Sequence, residues 1–172
     1  LVLDVKCGKA AFMQTLEDAT GLAESMVGAA KGLGINTVAQ ITQMDYPIGQ
    51  YVGNSLEVLG SVMVLQGKGS KDTLDIVILQ CAELLTRTSK AESHVQAEKI
   101  ISQVIDNGMA LEKFKQMCIQ QGVDQITAQK LCETPQDVLA KSIHITEIKA
   151  QDTGYICEID SMMLADIARK HG

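Results

Sequence analysis

Tryptophan is absent from this chain, and the aromatic residues together make up only 3% of it. A core without large rings must rest on Leu, Ile, Val, Met and Ala, which suits helices packed on a sheet better than an aromatic-rich β-sandwich. No dense cluster of Lys and Arg offsets the net charge of −6. That excludes a general nucleic-acid binder, because a phosphate backbone rewards concentrated positive charge. A small anion such as phosphate is not excluded, since local donors decide a pocket. Zinc-finger spacing is missing as well. The five cysteines (Cys7, Cys81, Cys118, Cys132, Cys157) are odd in number and widely separated, with no Cys-x-x-Cys and no Cys/His pair at ligand spacing. They read as free thiols of a reducing compartment. The apolar runs are far too short to span a bilayer, so no membrane is expected; no signal peptide is visible, and cytoplasmic is the default. What is present is a chain of 172 residues, 46% of them hydrophobic, enough for one sizeable core or a core with a small lobe.

Leu1 to Lys6 reads as a buried strand ending in charge, followed by a turn at Gly8. The chain opens directly on this apolar run, as expected of an internal piece of a larger protein. Thr15 and Asp18 form a capping-box pair, and Leu16, Ala19, Leu22, Ala23, Met26, Val27 and Ala30 recur at helical spacing until Gly32 and Gly34. Ile35 to Gln43 is rich in β-branched residues and reads as a second strand. Strand, helix and strand in so short a span predict a βαβ unit with parallel strands and a right-handed crossover. Tyr46 to Gly53 is a loop turned by Pro47 and Gly49. Asn54 and Glu57 suggest another capping box, and further helices are expected near 72–88, 92–107, 110–121 and 125–131. After Pro135 the character changes: Ile143, Ile145 and Ile148, then Tyr155 to Ile159, read as two strands about a turn at 151–154, with a last helix from Ser161. The expected class is α/β, a βαβ-containing mixed sheet flanked by helices, followed by the start of a small α+β C-terminal lobe. Residues 1–133 would belong to the central domain, 134–141 to a linker, and 142–172 to the incomplete lobe, since two strands and one helix close no stable sheet.

The common phosphate loops fail. Lys68 sits between Gly67 and Gly69, and Val62 occupies the place where a Walker loop needs its first glycine. Gly67-x-Gly69 lacks the third glycine of a dinucleotide fingerprint and follows a helix instead of a strand. His94, His144 and His171 are too scattered for a catalytic triad. Asp4 and Lys6 are better placed, at the carboxyl end of a strand where open α/β sheets gather ligands. They read either as substrate-facing groups or, more economically, as an ion pair supporting a pocket. Phe12 and Met13 lie in the loop after that strand. A ring there could stack on a flat base, although composition alone favours ordinary core packing.

Two blocks are more specific. Asp4-Val5-Lys6-Cys7-Gly8-Lys9-Ala10-Ala11-Phe12-Met13 resembles the D-V-K-x-G-x-G/A-A-F-M block of the thymidine phosphorylase / pyrimidine-nucleoside phosphorylase family. Met44, Pro47, Ile48, Gly49, Val52, Gly53, Asn54, Leu56, Glu57 and Val58 resemble its M-x-x-P-L-G-x-x-V-G-N-x-L-E-V block. Gly108, Phe114, Met117, Gln121, Gly122 and Asp124 follow a third pattern, and Asp152 to Ile156 resembles the D-G-Y-V entry to the last domain with one residue inserted.

The resemblance implies reversible phosphorolysis: thymidine and inorganic phosphate, a co-substrate, give thymine and 2-deoxyribose 1-phosphate, with no cofactor. It implies that the phosphate loop and the Arg, Ser and Lys groups around the base precede this stretch, so no catalytic residue is expected here. Phe12 falls where the family sets an apolar residue against the base, with Asp4, Lys6 and Met13 as supporting residues. Lys9 stands where a small residue is usual. Some members hold potassium with two loop carbonyls, here Ile48 and Tyr51, and a helix carboxylate; the corresponding position is Gly60, which offers none, so no metal is expected. A homodimer is implied, formed mainly through a helical domain outside this stretch. Two alternatives stand beside it. One is an anthranilate-type phosphoribosyltransferase relative using a pyrophosphate-bearing sugar and Mg²⁺; the other is a diverged binding or signalling protein.

Overall fold

The computed structural model describes residues 1–171. Its α/β class is as expected. Strand β1 (Val2–Cys7), helix α1 (Leu16–Gly32) and strand β2 (Val38–Gln43) form the βαβ unit. The strands run parallel, in register from Val2 opposite Val38 to Cys7 opposite Gln43. Thr15 caps α1 as its sequence signals: its hydroxyl oxygen accepts the Asp18 N–H at 3.1 Å, and the hydroxyl donates to the Asp18 carboxylate at 2.7 Å. At the other end Gly34 takes φ +75°, and the Ile35 N–H returns to the Ala30 carbonyl at 3.0 Å, closing the helix in the left-handed turn that glycine favours.

One face of the sheet is apolar and the other is not. Val5 packs with Ala19 and Ala23 of α1, flanked by Cys7, Met13 and Ala39. The alternate residues Asp4, Lys6, Gln40 and Thr42 form the second face, where the Gln40 side-chain amide donates to the Leu79 carbonyl at 3.3 Å. Leu79 belongs to α3 (Lys71–Arg87), which follows α2 (Asn54–Leu65). A second core joins α3 to α4 (His94–Asp106): Ala82, Ala91, Ala97 and Ile101 are buried, with Ile78, Leu85 and Ile105 against them. Small residues at these contacts let the helix axes approach closely, as a core poor in rings requires. Helices α5 (Met109–Gln120) and α6 (Gln125–Glu133), a 3-10 turn at Pro135–Asp137, and α7 (Ser161–His171) complete the described elements.

Two expectations change. Residues 143–148 and 155–159 form no strand, and β1 and β2 make the whole sheet among the described residues. Ile143, Ile145, Ile148, Tyr155 and Ile156 are all exposed. Alternation marks a face suited to burial but supplies no partner, and a strand without a ladder leaves its backbone to solvent. The second correction concerns α2. Its cap is Gly53, not Asn54, which is already helical. Only the Glu57 half of the predicted box forms, with its carboxylate accepting the Gly53 N–H at 3.1 Å.

Candidate functional site

The two motif-bearing loops leave the carboxyl ends of β1 and β2 side by side and dock on each other. The Met44 N–H donates to the Cys7 carbonyl at 2.7 Å and the Ala10 N–H to the Met44 carbonyl at 3.2 Å. The Lys9 N–H reaches the Asp45 carboxylate at 2.9 Å, and that bond, helped by the Gln43 amide, holds the Asp45 carboxyl below the usual carboxylate range. Gly8 lies at the tightest point of the junction. Its φ is +139°, and a Cβ there would stand 2.7 Å from Asp45 Oδ1 and 2.9 Å from both Asp45 N and Met44 C. Glycine is therefore a requirement of the docking.

Asp4 and Lys6 form the ion pair that the more economical reading expected. Lys6 Nζ lies 2.9 Å from Asp4 Oδ2. The Thr42 hydroxyl donates to Asp4 Oδ1 at 2.5 Å and accepts from Lys6 Nζ at 2.8 Å. Burial works against the Asp4 charge, but the hydrogen bonds from Thr42 and Lys6 outweigh it and hold the carboxyl below its ordinary value. Met13 turns inward to the α1 core. Phe12 is fully exposed, its ring projecting from the β1–α1 loop with no packing role. The structure thus separates four residues grouped by sequence: a polar clamp, an inward methionine and an outward ring. His94 pairs with Glu83 at 2.9 Å, a surface contact between α4 and α3.

Behind the second loop lies a cavity of about 570 Å³, walled by Tyr46, Pro47, Tyr51, Met63, Met162 and Leu164 among others. Ser70 and Thr73 add hydroxyls, and Glu57 and Lys68 charged groups, to a largely apolar lining. The contribution of α7 is not legible in the sequence beyond its apolar stripe. It is fixed by the Ser161 hydroxyl, which donates to the Asp45 carbonyl at 3.1 Å across 116 residues of chain. Among the described residues no group of three or more His, Cys, Asp or Glu is arranged to hold a metal ion, and no helix is long and apolar enough to cross a membrane.

Comparison with known proteins adds a family to this geometry. Residues 1–111 match the family described as "Glycosyl transferase family, a/b domain". The chain belongs to this family. Among its relatives are a pyrimidine-nucleoside phosphorylase of Staphylococcus aureus, 38% identical over 161 residues, and one of Staphylococcus haemolyticus, 36% identical over 159. These alignments cover 94% and 92% of this chain but 36% of each relative, so the chain spans about a third of their length.

Within this glycosyl transferase domain, the potassium site implied by the sequence resemblance can be tested for fit. Gly60 stands in α2, and a Cβ placed on it would lie 2.9 Å from Cδ2 of the Tyr51 ring. The ring fills the space through which a side chain at position 60 would leave the helix. A carboxylate ligand is absent, and its path is closed. The residues present do not fit the cation.

Proposed function

We propose that the protein containing these residues catalyses phosphorolysis of pyrimidine nucleosides, with thymidine as the preferred substrate. A pentosyltransferase role follows from the family and from relatives named pyrimidine-nucleoside phosphorylase. The observation that carries the reading for this chain is the docking of the D-V-K-x-G loop on the P-I-G loop at the carboxyl ends of two parallel strands. That edge is where open α/β sheets bind small ligands.

In the reaction a phosphate oxygen attacks the anomeric carbon and forms a C–O bond. The bond from that carbon to the base nitrogen breaks, and its electron pair leaves with the pyrimidine, which then takes a proton. Catalysis requires donors that hold phosphate and groups that stabilise charge developing on the base. We assign those groups to parts of the protein outside these residues, and assign to this stretch one wall of the cleft. Phe12 supplies an apolar face for the base, supported in this role by its exposed position on the loop after β1. Met13 anchors that loop from inside, and the Asp4–Lys6–Thr42 cluster stiffens the strand ends. Residues 142–172 are read as the beginning of the C-terminal α+β unit. The complete protein is read as a cytoplasmic homodimer that needs no cofactor besides the phosphate substrate.

The test is phosphate-dependent release of free base by the full-length protein, with thymidine and uridine run in parallel. Release from thymidine alone supports the narrow reading. Equal release from both broadens the substrate class to pyrimidine nucleosides. Release from neither, by a folded protein, overturns the reading in favour of a binding role. The isolated 172 residues are expected to give no turnover.

A further inference from the structure

Position 60 does more than lack a ligand. Gly60 lies inside α2, where glycine costs about 1 kcal/mol relative to alanine, and its Cα is the surface on which the Tyr51 ring rests. The Tyr51 hydroxyl donates to Met63 Sδ at 3.3 Å. Gly60 and Met63 are three residues apart and share a helix face, so the ring lies along one groove of α2.

A second tether holds the same loop at its fourth residue, Gly49. Asp72, in the first turn of α3, accepts the Gly49 N–H at 2.8 Å through Oδ2 and the Thr73 N–H at 2.8 Å through Oδ1. Gly49 has φ +76°, and a Cβ there would fall 2.9 Å from Thr73 Oγ1 and 3.3 Å from Ser70 Oγ. The loop is pressed against the start of α3 at Gly49 and against α2 at Tyr51.

We propose that Tyr51 and Asp72 are the positioning residues that hold the 46–53 loop, and that they replace a bound monovalent cation, leaving the fold and turnover of this protein independent of potassium. A hard cation bridging a loop to a helix works through oxygen ligands and charge compensation. Here the bridge is an aromatic ring on a bare Cα, and the anionic groups of the region, Asp72 and Glu57, are spent on backbone N–H donors. Tyr51, Gly60 and Met63 also line the cavity behind the loop, so the ring that tethers the loop forms part of that wall, while Phe12 takes no part in the tethers.

The inference rests on the phosphorylase reading only for its statement about turnover, and the experiment separates the two. Thermal unfolding of the full-length protein is measured in potassium chloride and in tetramethylammonium chloride at matched ionic strength. The expected midpoint is the same in both salts, whether or not the protein proves to be a phosphorylase. Base release, where present, is expected at a ratio of one between the salts. Tyr51→Ala and Asp72→Ala are expected to lower the midpoint equally in both salts, while Tyr51→Phe, which keeps the ring, stays near the unsubstituted value. Should Tyr51→Ala not fold, Gly60→Glu gives the same information. It is expected to lower the midpoint without rescue by potassium, because the new side chain displaces the ring. A potassium-specific rise in the unsubstituted protein or in Gly60→Glu would overturn the proposal. So would a Tyr51→Ala variant as stable as the parent.

Discussion

Replacing Gly8 with alanine is the sharpest test of how the two motif loops meet. Two costs arise independently. The first is conformational: φ of +139° is a region that L residues rarely adopt, and holding one there costs about 1–3 kcal/mol. The second is steric. The added methyl would approach Asp45 Oδ1 to 2.7 Å and Asp45 N and Met44 C to 2.9 Å. The carboxylate could rotate away, but only by giving up the Lys9 N–H it accepts at 2.9 Å. The two backbone atoms cannot rotate, and moving them pulls on the bond from Met44 N to the Cys7 carbonyl. Overpacking of this kind costs about 1–3 kcal/mol. The sum is about 4 kcal/mol, a large share of the roughly 5–15 kcal/mol that holds a domain folded. Equilibrium urea unfolding, with ΔΔG taken from midpoint and slope, measures it. Gly28→Ala is the internal control. Gly28 lies in α1 with nothing within 4 Å of a new Cβ, so the same chemical change should stabilise by about 1 kcal/mol. A Gly8→Ala variant within about 0.5 kcal/mol of the parent, the range of an ordinary surface substitution, would refute the docking geometry.

Three further outcomes are expected. Phe12→Ala should raise KM for the nucleoside about 3- to 10-fold, the range of one aromatic stacking contact, while leaving stability within about 0.5 kcal/mol because the ring buries nothing; steady-state kinetics and urea unfolding together check it. Asp4→Ala should cost about 1–2 kcal/mol, since it strips a charged acceptor from Thr42 and Lys6 at a partly solvated site, and the loss is read from the urea midpoint. The Asp72 carboxyl is held below its ordinary value first by the Gly49 N–H and then by the Ser70 hydroxyl. Its contribution is therefore fully present above the unfolded-state pKa and lost as pH falls through the folded one, so Asp72→Asn should flatten the acid side of a midpoint-against-pH curve.

The βαβ unit was legible because its signals are local. Thr15 and Asp18 lie within one turn, the apolar stripe of α1 needs only its own spacing, and Gly34 sits where a left-handed residue must close the helix. Gly108 separated α4 from α5 for the same reason, taking φ +77°. What could not be read off is what depends on a partner distant in sequence. Nothing local says that Thr42 will share protons with Asp4 and Lys6 across the sheet, or that Tyr51 will lie on Gly60. The 143–148 and 155–159 stretches failed for the converse reason: β-branched composition makes each a candidate strand, but a ladder is a property of two segments that meet, and these two do not pair. Asn54 misled because Asn is a strong capping residue by type, whereas the left-adjacent Gly53 alone can take φ +113° at the entrance to α2.

The disposition of charge around the docked loops bears on where the chemistry must reside. A phosphate nucleophile needs several donors converging on one point. Lys6 is held within 3 Å of both Asp4 and Thr42 on the sheet face toward α3, so its protons are committed to the scaffold. Lys9 is the other cation of this loop, and it meets Glu158 at 2.5 Å. That pair is solvent-exposed, and pairs of this kind are screened by water and contribute little. Lys9 is therefore available in a way that Lys6 is not, yet a single flexible ammonium on a loop rim cannot replace a converging set. Phe12 is apolar and exposed, and the tight Gly8–Asp45 junction of the same loop adds no converging set of donors. On the proposed phosphorylase reading, the base therefore falls to this wall and the phosphate to donors elsewhere in the protein.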